Sequence, residues 1–165
     1  MSGGAAGAVV ERMLDQAAAT CLRRGAQLTE LRRQVLRLVL EAEQPIGAYA
    51  LLDRLRAMRA GAAPPTVYRA LDFLREQGLI HRVERLNAYV GCVEAASHPA
   101  DCDCAAGEHD HPHQFLICTR CGATEEISDP AVTRALAAAA RRSGFALHRA
   151  TVEAEGLCAR CAGTA

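Results

Sequence analysis

The chemistry in this sequence begins with sulfur. Cys118-Thr119-Arg120-Cys121 and Cys158-Ala159-Arg160-Cys161 each place two thiols three residues apart. On a tight turn such a pair binds one Zn²⁺, and two such turns complete a tetrahedron. The 36 residues between Cys121 and Cys158 exceed the usual gap of a zinc ribbon. A helix and a strand fit into that gap, so the chain leaves, builds a domain and returns. A closed set of four thiolates leaves no open coordination position, which makes the expected role structural. The rival chemistry is a thioredoxin-like redox pair. It is weakened because there are two such turns and neither is expected at the strand-to-helix turn of a βαβ unit.

A second group of donors is more scattered. His81 and Cys92 lie near a short hairpin, His111 and His113 close a linker, and Glu126 follows Cys121 by five residues. These nitrogen, sulfur and oxygen donors suit Zn²⁺. A metal held by them would tie a front domain, a linker and a back domain into one orientation. The residue types alone leave plainer readings open: a surface His, or a Cys that is a small core residue. The linker also carries His98, Cys102, Cys104 and His109. Cys-Asp-Cys is too tight for a good tetrahedral turn, so these residues give either a weak third metal site or a flexible insertion. Cys21 sits on a helical apolar period and is expected in the core.

The elements that must position these donors follow from periodicity. Val10, Leu14, Ala17 and Cys21 predict a helix over about 8–24, ended by Gly25. Thr29 offers an N-cap oxygen to the next helix, whose apolar stripe is Leu31, Val35, Leu38 and Val39. After the break Gln44-Pro45-Ile46-Gly47, a third helix turns Leu51, Leu52, Leu55 and Met58 inward. Pro65 opens a fourth helix over 66–77, with Val67, Leu71 and Leu74 inward and Gly78 as its stop. Residues 79–84 and 88–92 then read as a hairpin with Asn87 in its turn. Helices followed by a hairpin is the order of a winged helix-turn-helix, in which one helix enters the major groove.

Residues 93–112 show no period and read as a linker or hinge. The back domain, 113–165, reads β-β-α-β: strands over 113–118 and 123–128, a helix from Asp129-Pro130 to about Arg142, and a strand over 145–155. The fold class is α+β, with a winged-helix domain over 1–92 followed by a small α+β domain. Aromatic residues make up only 4 % of the chain while 34 of its 165 residues are Ala. The core must therefore rest on scattered Leu, Val and Ile, and a back domain this small needs a staple.

Zero net charge hides an asymmetry. Residues 1–92 carry 13 Arg against 9 acidic groups, and residues 93–165 carry 6 against 10. A basic front half could meet a polyanion. No apolar run is long enough to span a bilayer, and Met1–Val10 lacks the basic-then-apolar pattern of a secretory signal. The expected compartment is the cytoplasm, where Cys pairs more often hold metal than form disulfides. An enzyme is not expected. The His-x-Glu and Pro-Cys-x-x-Cys of zinc deaminases are absent from the sequence, and a four-Cys site has no open position for hydrolysis.

Several stretches resemble the ferric uptake regulator family, and most closely its zinc uptake regulator branch. They are Leu28-Thr29, Ala48-Tyr49-Ala50-Leu51-Leu52-Asp53, the highly specific Pro64-Pro65-Thr66-Val67-Tyr68-Arg69-Ala70-Leu71-Asp72-Phe73-Leu74, Gly78 to Glu84, Ile117 to Gly122 and Gly156 to Cys161. The resemblance runs from about Cys21 to Cys161 and implies a homodimeric metalloregulator of double-stranded operator DNA. It implies a structural zinc on Cys118, Cys121, Cys158 and Cys161. It also implies a regulatory zinc on His81, Cys92, a linker His and Glu126, which makes two zinc ions per subunit. By register the linker ligand is His111, seven residues before Cys118, with His113 as its substitute. A longer linker than the family's leaves room for a third zinc. Thr66, Tyr68 and Arg69 on the recognition helix, and Tyr49 on the helix before it, are the expected DNA contacts; Arg32, Arg33 and Arg82 could add phosphate contacts. The implied output is repression of zinc-uptake genes. Iron, nickel or peroxide sensing on the same scaffold is the alternative, and Cys92 favours zinc.

Overall fold

A computed structural model describes residues 3–92, 113–148 and 150–163. The chain divides into two compact units, within Met1–Ala105 and Ala106–Ala165. None of the described helices is long and apolar enough to cross a membrane.

The first unit holds α1 (Gly3–Arg23), α2 (Glu30–Leu40), β1 (Ile46–Gly47), α3 (Ala48–Met58), α4 (Pro64–Glu76), β2 (Ile80–Val83) and β3 (Ala88–Gly91). Its core is the set the periodicity marks: Leu14, Cys21, Val35, Leu51, Leu55, Val67, Leu71 and Leu74 are all essentially sealed from solvent. Two sequence expectations change. Met58 is 54 % exposed, not inward, because it is the last helical residue and Arg59 already turns extended. Thr29 occupies the N-cap of α2 with extended backbone, but its side chain makes no cap hydrogen bond.

α4 starts one residue before Pro65, since Pro64 and Pro65 both fit a first turn that has no use for its N–H groups. Gly78 ends it at φ +67, a backbone that strains any residue with a Cβ. The hairpin turn that follows uses Asn87 at φ +46, where Asn is tolerated. The sheet has three strands in the order β1-β3-β2, all antiparallel. β1 is the strand that the break at Gln44–Gly47 conceals. Only its non-local partners, Ile46↔Tyr89 and Gly47↔Ala88, make it a strand. This is a winged helix-turn-helix.

The second unit holds β4 (His113–Cys118), β5 (Thr124–Ile127), α5 (Pro130–Arg142), β6 (Thr151–Gly156) and a single turn, α6 (Ala159–Ala162). β4 is central, antiparallel to β5 and parallel to β6. Asp129 caps α5 by accepting from the Ala131 N–H at 2.7 Å. Gln114, almost fully buried on β4, ties the sheet to that helix start by donating to the Asp129 carbonyl at 3.0 Å. The expected strand over 145–155 is shortened to β6. The Phe145 N–H returns to the Ala140 carbonyl at 2.8 Å, so Phe145 closes the helix end and does not begin a strand. No residue of α5 is buried, and among the described residues of this unit only Phe115, Ile117, Cys118 and Gln114 are buried.

Leu71→Ala should lower the unfolding free energy of the winged-helix unit by about 2–5 kcal/mol. Tyr49→Ala, on a side chain 74 % exposed, should change it by no more than ~0.5 kcal/mol. Urea denaturation of the two variants beside the parent checks the contrast.

Candidate metal centres and nucleic-acid interface

The parallel ladder between β4 and β6 decides where the sulfurs go. Its last register pair is Cys118↔Gly156, so both Cys-x-x-Cys turns leave the same end of the sheet. The Thr119 N–H donates to the Gly156 carbonyl at 2.9 Å and holds the two exits together. The first turn closes through the Gly122 N–H on the Cys118 carbonyl at 2.9 Å; the second through the Cys161 N–H on the Cys158 carbonyl at 2.9 Å. The four sulfurs lie within 4.8 Å of one another. Cys121 and Cys158 are 3.7 Å apart, Sγ to Sγ. The Cys158 N–H reaches the Cys118 Sγ at 3.4 Å.

Four soft donors around one point, with N–H groups aimed at sulfur, fit a tetrahedral Zn²⁺ or another thiophilic ion. The second turn stands between a strand and a helix, with Cys158 as the N-cap of α6, but no strand follows α6 among the described residues, so it is not the turn of a βαβ unit. That helix is only one turn long, and its cysteines share their space with the other pair. Convergence of all four sulfurs therefore carries the metal reading.

The thiols are unequal. Backbone N–H groups of Cys158 and Cys121 stabilise the Cys118 thiolate and bring its pKa down to about 6. Burial and the neighbouring sulfurs push Cys161 up to about 12.

In the winged-helix unit, His81 and Cys92 are both buried. His81 pairs with Val90, and the Cys92 N–H donates to the Leu79 carbonyl at 3.0 Å. Alternation along the two strands therefore puts His81 and Cys92 on one sheet face as diagonal neighbours. In the second unit, Glu126 sits opposite Phe115 in register, and His113 Nδ1 is 3.3 Å from Glu126 Oε1. These are partial donor sets of the kind the sequence suggests. His111, and the group His98, Cys102, Cys104 and His109, lie outside the described residues.

α4 buries Val67, Ala70, Leu71 and Leu74, which turns Tyr68 and Arg69 outward and leaves Thr66 half-buried. Tyr49 projects from the first turn of α3. The three arginines expected at phosphates are differently placed. Arg33 pairs with Asp15 at 2.7 Å and Glu11 at 3.2 Å, Arg32 lies over the Phe73 ring at 3.5 Å, and Arg82 pairs with Glu84 at 3.4 Å and donates to Asn87 at 2.9 Å. Arg33 thus fastens α2 to α1, and Arg32 fastens α2 to α4. Acidic partners at helical spacing, Glu11 and Asp15, were the signal for the first of these roles.

The ferric uptake regulator family model matches residues 23–155. The chain belongs to this family. The zinc uptake regulation protein of Escherichia coli strain K12 is 43 % identical over 151 residues, covering 92 % of this chain and 82 % of that protein. A solved structure described as a zinc uptake regulator complexed with zinc and DNA has a TM-score of 0.81 at 42 % identity, over 93 % of this chain and 95 % of its own. Another, holo XcZur, has a TM-score of 0.77 at 40 % identity, over 92 % and 97 %.

Two residues of this ferric uptake regulator family member escaped the sequence reading. Arg160 lies against the Cys121 and Cys158 sulfurs, whose charge strengthens its own. Arg120 donates to the Cys161 carbonyl at 2.7 Å. Four thiolates around a divalent ion would leave excess negative charge, and the Arg160 guanidinium would offset part of it. An Arg inside each Cys-x-x-Cys was the available signal.

The Cys118 value sets a pH dependence. Its folded pKa lies below the ordinary thiol value, so its thiolate stabilises the fold above that ordinary value. The contribution is lost as pH falls through about 6. In metal-free protein, ultraviolet thiolate absorbance should rise with a midpoint near pH 6. The step should vanish in Cys118→Ser; a first step near the ordinary value in the parent would contradict the geometry.

Proposed function

We propose that this chain is a zinc-responsive transcriptional repressor, which binds operator DNA as a zinc-loaded homodimer in the cytoplasm and turns down zinc-uptake genes. The observation that carries the reading is Cys92 beside His81 on one buried sheet face of a winged helix. A buried thiolate and imidazole select a borderline-soft ion over iron or manganese. Residues 1–92 are the DNA-binding domain, 93–112 the hinge and 113–165 the dimerisation domain.

Each subunit holds two zinc ions in this reading. Cys118, Cys121, Cys158 and Cys161 form the structural site, a staple for a unit with little core. His81, Cys92, His111 and Glu126 form the sensing site. Bound there, zinc would supply bonds to both domains at once. These donors come from different domains and satisfy one ion only when they converge, so metal binding favours one arrangement over the open ensemble.

Dimerisation suits the apolar surface of the back unit. Leu136, Ala137, Ala140, Phe145 and Leu147 line a groove of about 340 Å³ on α5, and Phe145 is 65 % exposed. A two-fold dimer presents two α4 helices at one spacing and so matches a pseudo-palindromic site. Arg69 is free to reach a base edge, since it carries no ion pair among the described residues. Thr66 and Tyr68 share its helix, and Tyr49 on α3 completes the proposed contact set.

The test uses duplex DNA selected from a random library by the zinc-loaded protein, with binding followed by fluorescence anisotropy. Buffered free zinc should promote binding more than iron, manganese or nickel does. Cys92→Ser should weaken the zinc-dependent step and leave a folded dimer. Cys158→Ser should instead destabilise the back unit. Equal loss of folding in both would defeat the division into sensing and structural sites. Arg69→Ala should cost about 1–3 kcal/mol of operator affinity without changing zinc content by mass spectrometry.

A further inference from the structure

His113 on β4 lies beside Glu126 and has a role of its own. We propose that His113 positions Glu126 for the metal and is not itself a ligand. This rests on reading Glu126 as a sensing-site donor. Glu126 is a nearly sealed carboxylate, its side chain 10 % exposed. Burying such a group is costly unless it is hydrogen-bonded.

His113 supplies one such partner through the sheet. Phe115 is the register partner of Glu126, and His113 stands two residues earlier on β4, so alternation gives all three the same face. The His113 ring stacks on Phe115 with centroids 6.5 Å apart and planes 28° from parallel. Phe115 is itself only 1 % exposed, so the imidazole rests on a fixed floor. Its Nδ1 then meets Glu126 Oε1 at 3.3 Å.

A carboxylate can only accept, so Nδ1 carries the hydrogen in this pair. The ring's lone pair is then on Nε2, at the far side of the imidazole, where it cannot share an ion with Glu126. The ring holds Oε1 and so restricts the rotation of the carboxylate. The effect is to fix one carboxylate rotamer before the ion arrives, as outer-shell partners of ligands do elsewhere.

The experiment uses full-length protein whose four-Cys site keeps its zinc. Sensing-site affinity is read by chelator competition, and ligand identity by the absorption spectrum of cobalt(II) added to that site. His113→Leu removes the donor and should lower zinc affinity about 10–100-fold. His113→Asn keeps an N–H near the Nδ1 position and should restore most of that loss, with cobalt bands at the parent's positions. The proposal is overturned if His113→Asn loses as much as His113→Leu and shifts the cobalt bands, because His113 is then a ligand. It is also overturned if neither variant lowers the affinity.

Cys92→Ser is the control for the underlying reading, and should abolish the sulfur-to-cobalt charge-transfer band. If that band and the affinity survive Cys92→Ser, the sensing-site assignment fails, and the role of His113 fails with it.

Discussion

Four sulfur atoms from two turns far apart in sequence occupy one small volume at the end of a three-stranded sheet. Charged thiolates repel one another at such distances, and neutral thiols give little back for the ordering. A thiophilic cation would resolve the conflict, because coordination would take the place of crowding. The Cys161 thiol, pushed up by burial and then by the neighbouring sulfurs, carries the mark of that crowding, while backbone N–H groups bring Cys118 down. Much else in the back unit depends on the same point. α5 buries no residue, and the sheet contributes only a few sealed side chains. The parallel β4–β6 pairing lacks the help of a local turn and needs closure at its end.

The winged-helix unit solves its stability differently. Leu, Val and Ile from α1 to α4 close a continuous core, while Arg32 and Arg33 are spent on joining helices. The outward face of α4 keeps Arg69 and Tyr68 outside that core. A rigid base with an uncommitted recognition face is what groove reading requires. The small sheet serves a second purpose in the same unit. Its alternation turns two residues separated by a hairpin, His81 and Cys92, into neighbours.

Helices and strands with strong periodicity were readable, and β4 was read to the residue because apolar side chains fill it and Pro112 precedes it. The failures have separate causes. β1 is two residues long and exists only through its partners on β3. Phe145 and Leu147 alternate like a strand, yet they sit on the capped end of α5. Met58 carries the right residue type at the right period, but the helix runs out beneath it. For the sites, Cys-x-x-Cys spacing was enough to nominate the four sulfurs. The outer partners, Arg160 and Arg120, were not nominated, because any Arg on a short turn looks like surface.

The amino-acid sequence by itself determined the strongly periodic elements of both units, the spacing that nominates four cysteines and the resemblance to the ferric uptake regulator family. Those properties follow from local spacing, and local spacing is written along the chain. Tertiary structure decided which donors become neighbours, which arginines are already engaged, and which imidazole faces Glu126. Strand register sets these outcomes, and a slip of one residue would send each side chain to the opposite face.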